Sequence, residues 1–350
     1  MNQNMINDFI DQTGRTSDAA EYADPSRSQV ETMFYTGADP WHRIGTKLDN
    51  PATAQEAIVA AGLDWEVEPR ATFIMASEGN ARIPTGRYAM VRKDNGRIFT
   101  SGLSTRYQPL QNKDAFNFFD AVVGAGEAIY HTAGSLRGGS IVWILAKMNG
   151  DLGLEGDAAE KYIMLSNSHD GSRAIDMRFC VKRVVCMNTF KMAMGGSELN
   201  TRLRHTGNVM NKVNQTRDML GLSDAYFANF MRGMERLVDT KLTDLQVKTY
   251  LEDVIAFNPK MPDSEISTRK KNIVDEIIGL YHGGRGSDLV TARGTAWGAF
   301  NAVSEYIEHE RPVRGIHADY WITDSRLASS FFGNGAKLES KAWNKALSLV

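Results

Sequence analysis

Two periodicities divide the chain. Up to about residue 207, apolar and polar residues alternate in short runs punctuated by Asn-Gly, Gly-Gly and Asp-Gly; from Asn208 onward the apolar positions recur at helical spacing. Thr53, with Glu56 three positions on and an Ala/Ile/Val run ending at Gly62, predicts a capped helix. The stretch from Leu63 to Met75, holding Trp65, Val67 and Phe73, reads as extended. Arg87–Arg92 and Arg97–Leu103 flank Asn95-Gly96, two residues that tolerate positive φ, and so predict a hairpin. Asn112 is placed to cap a helix with Ala115, Phe116, Phe119, Val122 and Val123 on one face. Ile129–Leu136 and Ser140–Met148 meet across Gly138-Gly139, and Tyr162–Ser166 and Ala174–Phe179 across Asp170-Gly171, giving two further hairpins. After Val181 the pattern turns helical through Met194 and stops at Gly195-Gly196.

The last third carries apolar stripes near 208–220, 224–238, 243–257, 266–282, 291–309 and 337–349, broken by Pro259, Pro262 and Pro312. Strands followed by a run of helices predict an α+β class: a hairpin-rich antiparallel sheet with inserted helices, then a helical C-terminal region. The organisation expected is an acidic, flexible arm over 1–37, an α+β sheet domain over 38–207 and a helical region over 208–350. No internal repeat is visible.

Composition excludes several classes. With 42% hydrophobic residues, 31 Gly, 9 Pro and 2 Cys, the chain is neither collagen-like, low-complexity nor a disulfide scaffold. No apolar run approaches the ~18 residues of a spanning helix, and Met1–Met5 lacks a basic and an apolar region, so neither a membrane span nor a secretory signal is expected. The scarcity of cysteine points to a cytoplasmic, reducing setting. The net charge of −2 conceals a strong segregation. Residues 1–70 hold 12 acidic and 5 basic side chains, whereas residues 178–217 hold eight basic side chains against Glu198 alone.

Catalytic motifs are sparse. The sequence has no phosphate-binding G-x-x-x-x-G-K-[ST] loop, no H-E-x-x-H and no G-x-S-x-G elbow, and Gly124-Ala125-Gly126 lacks the third glycine of a dinucleotide fingerprint. Gly283-Gly284-Arg285-Gly286 reads as a linker between helices. Cys180 and Cys186 stand in an apolar run outside ordinary zinc spacing and read as small core residues. His169-Asp170 is the one adjacent His–Asp pair, but the Asp-Gly turn accounts for Asp170 by itself. Glu305, Glu308, His309 and Glu310, at helical spacing, read as a solvated face. Neither a metal nor a cofactor is expected.

The basic segment mixes charge with hydrogen-bonding groups, as phosphate-backbone binding requires. Arg178, Lys182, Arg183, Asn188 and Lys191 fall at a predicted strand-to-helix junction. Arg202, Arg204 and His205 fall in a predicted loop beginning at Asn200. These eight residues are the candidate nucleic-acid contacts. Tyr88, Phe99, Tyr107 and Tyr130 are candidate base-stacking platforms, each with core packing as the simpler role.

Asn167-Ser168-His169-Asp170-Gly171-Ser172 followed by Arg183-Val184-Val185-Cys186-Met187-Asn188-Thr189 resembles the phage- and plasmid-borne proteins that carry the domain of unknown function DUF932. Pro40-Trp41-His42-Arg43-Ile44-Gly45, Ala61–Val67, Gly294–Tyr306 and Phe331–Ala336 fit the same resemblance, which covers about residues 38–349. It implies a mobile-element setting and assigns no catalytic residue. In outline the predicted architecture is also similar to ring-forming single-strand annealing proteins, a likeness of fold type alone. The expected function is therefore ATP-independent binding or annealing of single-stranded DNA by a homo-oligomer. The alternatives are a non-catalytic structural or host-interaction protein, and a nucleic-acid or nucleotide enzyme using His169/Asp170 or Cys186.

Overall fold

The computed structural model of the chain describes residues 33–36, 45–77, 81–123, 128–185, 189–190, 200–209, 211, 223–255, 267–312 and 319–350. Its centre is an antiparallel meander of β6 (Ala128–Leu136), β7 (Ile141–Leu154), β8 (Asp157–Ser168) and β9 (Ile175–Arg183). The large sheet runs β10-β9-β8-β7-β6-β1-β2, where β1 is Phe34–Thr36, β2 Thr46–Leu48 and β10 Thr189–Phe190; β11 (Asn200–Leu203) also pairs with β9. The β1–β2 pair is parallel. A second sheet comprises β3 (Val67–Met75), β4 (Arg82–Arg92) and β5 (Ile98–Leu103) in that order.

All three predicted hairpins form, at Asn95-Gly96, Gly138-Gly139 and Asp170-Gly171. Helix α1 (Ala54–Ala60) is closed by the predicted capping box: Glu56 N–H donates to Thr53 Oγ1, and Thr53 N–H donates to the Glu56 carboxylate at 2.9 Å. Helix α2 (Asn112–Val123) follows, and the C-terminal half supplies α3 (Ser223–Asp239), α4 (Asp244–Val254), α5 (Thr268–Gly283), α6 (Ala296–Glu305) with a π-helical turn over Tyr306–Glu310, α7 (Asp319–Phe332) and α8 (Asn334–Leu347). The fold class is α+β.

Several sequence expectations give way to strand pairing. The helix expected after Val181 does not begin there. Val181 and Lys182 pair with Lys161 and Glu160 on one side and with Phe190 and Thr189 on the other, so the chain stays extended. The segment expected to be a loop from Asn200 is strand β11, in register with Arg178 to Ile175. Helix α7 was not foreseen. Of the expected acidic arm, only Met33–Thr36 is described, and there β1 sits inside the large sheet with Phe34 buried. The predicted 208–220 helix lies almost wholly outside the described residues.

The large sheet is covered on both faces. On one face Ile163, Leu165, Phe179 and Val181 meet Tyr226, Phe227, Phe230, Trp297, Phe300 and Trp343 from the C-terminal helices, with Phe230 stacked on Trp343 at 5.5 Å. On the other, Trp143, Leu145, Tyr162, Met164 and Cys180 meet Leu327, Ala328 and Phe331 of α7. One face of the sheet thus shares a large hydrophobic cluster with the C-terminal helices, and the other a smaller, separate one with α7.

Candidate nucleic-acid interface

Burial sorts the eight candidate residues, because a side chain enclosed by protein does not meet a phosphate backbone. Arg183 is 1% exposed. Its Nε and Nη2 donate to the two oxygens of Asp157 at 2.6 and 2.8 Å, while Thr291 Oγ1 and Trp297 Nε1 donate to Asp157 Oδ2 at 2.7 and 2.9 Å. Burial alone pushes the Asp157 carboxyl up; the Arg183 charge and these donors outweigh it and hold the carboxyl below its ordinary value. Lys182, 9% exposed, lies on the opposite face of the sheet, across from Glu160. Burial lowers its pKa, partly offset by Glu160 and Glu308. Arg178 is largely buried and ion-paired with Asp176. His205 is buried, stacked on Tyr107 at 4.7 Å with Nδ1 3.2 Å from the Gln108 carbonyl oxygen. Asn188 and Lys191 lie outside the described residues.

Among the described candidates, only Arg202 and Arg204 stand exposed as expected. As far as Arg183, where β9 ends, the supposed strand-to-helix junction is thus a buried strand in place of an open basic surface. Three of the four candidate stacking aromatics are likewise engaged: Phe99 packs on Trp65 and His169, Tyr107 on His205, and Tyr130 is fully buried, whereas Tyr88 in β4 is half-buried.

A different gathering of basic groups forms at the end of the large sheet that carries the β6–β7 and β8–β9 turns. Arg97, at the start of β5, lays its guanidinium against Gly138, where a Cβ would collide with it; Gly138 also has φ +64. Arg137 precedes that glycine and is exposed. Arg173, following the Asp170-Gly171 turn, is half-buried; burial, then the neighbouring Arg137 and Arg202 charges, lower its pKa, with Asp170 opposing them. Its Nη2 donates to the Phe332 carbonyl at 2.8 Å, which fixes the side chain against the C-terminal end of α7. Exposed Arg106 joins this end through the Tyr107–Thr206 bridge, two residues past Arg204. Gly138→Ala is expected to displace Arg97 and to strain the turn, lowering the urea midpoint; an unchanged midpoint refutes this.

Sequence reasoning missed Arg97, Arg106, Arg137 and Arg173. Residues 71–177 hold eleven acidic and eleven basic side chains, so no local charge run marks them. Their one linear signal was position: each lies within a few residues of a predicted hairpin turn or strand end.

The remaining candidates for chemistry are structural. His169 is fully buried, with Nε2 3.0 Å from Asn112 Oδ1 rather than facing Asp170, while Asp170 Oδ1 accepts from the Ser172 N–H as a turn residue does. Cys180 is buried in the core, and Cys186 lies outside the described residues. Glu305, Glu308 and His309, expected on a solvated face, are buried. Glu305 accepts from the Arg285 backbone and guanidinium, which makes the 283–286 glycine cluster a turn locked onto α6. Among the described residues, no group of three or more His, Cys, Asp or Glu is placed to hold a metal ion. No described helix is long and apolar enough to cross a membrane.

The family model for the domain of unknown function DUF932 matches residues 101–329, almost two thirds of the chain. The chain belongs to the DUF932 family. The matched region of the DUF932 protein runs from β5 through the meander into α7, and so contains Arg106, Arg137, Arg173, Arg202 and Arg204 as well as the Asp157–Arg183 pair. The two N-terminal stretches of the resemblance, around Pro40 and Ala61, precede it. No curated protein and no solved structure matches this DUF932 chain.

Proposed function

We propose that this DUF932 protein is a non-catalytic binder of single-stranded nucleic acid, engaging the phosphate backbone through Arg97, Arg106, Arg137, Arg173, Arg202 and Arg204. The observation that carries this reading is the convergence of three separate segments at one end of the sheet: Arg137 in the β6–β7 turn, Arg173 just before β9, and Arg202 on β11 in register with Asp176, with the Arg137 and Arg202 charges both acting on Arg173. Gathering like charges costs folding free energy, and a polyanion bound across them reverses the sign of that term. The fork geometry of guanidinium suits phosphate.

Burial of Arg178, Lys182, Arg183 and His205 favours a second reading, a protein-interaction component with no nucleic-acid partner. One titration separates them. Binding of the full chain to a fluorescent single-stranded oligonucleotide is expected at low salt and should weaken with a slope of about −0.7 in log K against log salt per phosphate engaged. Arg202→Glu with Arg204→Glu is expected to weaken binding at least tenfold while leaving circular dichroism unchanged. Absence of binding by the wild-type chain at low salt overturns the nucleic-acid reading in favour of the second.

A further inference from the structure

The second sheet contains a feature that neither the core nor the arginine end uses. Strand β5 stops at Leu103, opposite Tyr88, so among the described residues the β3–β4 pair continues past it as a bare two-stranded ribbon. Ile74 is 57% exposed, Met75 52%, Phe73 49% and Ile83 47%. Phe73 pairs with Pro84 and Met75 with Arg82, which places all four on one face, while Ile74 and Ile83 share the other. A ribbon of this kind, uncovered by a third strand or a helix, is marginal in water and needs a reason to persist.

The ribbon is braced where it leaves the body. Thr72 and Thr85 touch through their hydroxyls; Thr72 Oγ1 donates to the Arg87 carbonyl at 3.0 Å, and Thr85 Oγ1 to the Thr72 carbonyl at 3.1 Å. The register shifts between Ala71 and Phe73, and Gly86 has φ +69, the signature of a bulge that bends and re-aims a strand. Its root stands on the arginine end: the Leu103 side chain packs on Gly171, two residues before Arg173.

The composition of the ribbon selects among occupants. Pro84 in β4 removes a backbone donor, and Arg82 and Arg87 add charge, which together blunt the ribbon against adding a strand from a second copy. Among its described residues beyond Arg70, the ribbon carries no carboxylate. Cationic side chains beside an exposed aromatic and flanking Met, Ile and Pro are the groups with which proteins stack on bases and wedge between them. We infer that the β3–β4 ribbon is a base-contacting arm: Phe73 and Met75 unstack bases of a nucleic-acid strand whose phosphates are held by Arg82 and Arg87 and, at its root, by the arginine end. This rests on the nucleic-acid reading above.

The test uses the full chain and a single-stranded oligonucleotide bearing a fluorescent base analogue that brightens on unstacking. Wild type is expected to bind and to raise the emission. Phe73→Ala with Met75→Ala is expected to abolish the rise and to weaken binding about tenfold, with the salt slope unchanged because phosphate contacts persist. Arg82→Ala with Arg87→Ala is expected to shrink the magnitude of the salt slope by about 1.4. If wild type binds and the Phe73/Met75 variant matches it in affinity and emission, the arm inference falls while the nucleic-acid reading stands. If that variant instead converts a self-associated free protein to a smaller species in sedimentation, the arm is an interface between copies and the inference is overturned. If wild type does not bind, the underlying reading fails with it.

Discussion

Replacing Asp157 with Ala is expected to cost about 3–5 kcal/mol of folding stability, the scale of breaking a buried ion pair by removing one partner. That is a large share of the roughly 5–15 kcal/mol that holds a typical protein folded. The substitution strips the Arg183 guanidinium of the carboxylate that neutralises it, in a site 1% exposed, and takes the acceptor from Thr291 and Trp297 as well. Sequence separation magnifies the effect: Asp157 and Arg183 belong to the sheet, whereas Thr291 and Trp297 come from the α5–α6 connection and from α6. The network therefore ties the sheet to the helical layer. Asp157→Leu combined with Arg183→Met is expected to be much less damaging than the sum of the two single changes, since an apolar pair leaves no buried charge. Urea unfolding at pH 7.5 measures all of these. A midpoint for Asp157→Ala close to wild type would show that the pair is not enclosed as described.

Acid is expected to unfold the protein well above the range in which its surface carboxylates titrate. Burial drives His169 to about 3, helped by His205 and Arg92, and drives His131 to about 4, helped by Lys182 and Lys147 and opposed by Glu160. His205 is also lowered by burial, against the pull of the Gln108 and Arg173 backbone groups. His169 and His131 are neutral in the folded state at pH values where the unfolded chain, with histidine near 6.5, binds protons, and His205 is shifted the same way. Folding stability from these groups is thus complete above about pH 7 and declines as pH falls from 6.5 toward 4. The slope is about 1.4 kcal/mol per pH unit for each proton taken up, and His169 and His131 together account for roughly two protons by pH 5, with His205 adding in the same direction. Glu305, Glu276 and Asp114, pushed up by burial, work in the opposite direction at the lower end of the window. Asp157 and Glu160, whose carboxyls are held down, add their own loss below it. Urea midpoints at pH 7.5, 6.5, 5.5 and 5 trace the decline. His169→Gln preserves a donor toward Asn112 and is expected to reduce the slope by about one proton. Stability that is flat from pH 7.5 to 5 would contradict the buried neutral state of these histidines.

Short-range chemistry was legible in the residues alone. Asn95-Gly96, Gly138-Gly139 and Asp170-Gly171 predicted hairpins that form, because each connection holds a glycine, Gly96, Gly138 with Gly139, or Gly171, that takes the positive φ a tight reversal needs. The Thr53–Glu56 capping box, the helices near 224–238, 243–257 and 266–282 and the α+β class follow the same logic. The quoted motif around Asn167 likewise led to the family that the match over 101–329 confirms.

What local pattern left open was which charges face water. Alternation along β9 assigns Arg183 and Lys182 to opposite faces of a strand, and in a sheet exposed on one side one of them would reach solvent. Here helices close over one face and α7 over the other, so both are buried, and the β9 part of the densest basic run is enclosed while Arg202 and Arg204 of the same run stay exposed. The arginine end arises in the reverse way, from Arg97, Arg137, Arg173 and Arg202 brought together across more than a hundred residues by strand order and turn packing. Hairpin turns and amphipathic helices follow from contacts a few residues apart, whereas the end of β9 and β11 are extended through pairing with distant strands. Burial and surface charge are set by which distant elements pack together, and only the tertiary structure decides that.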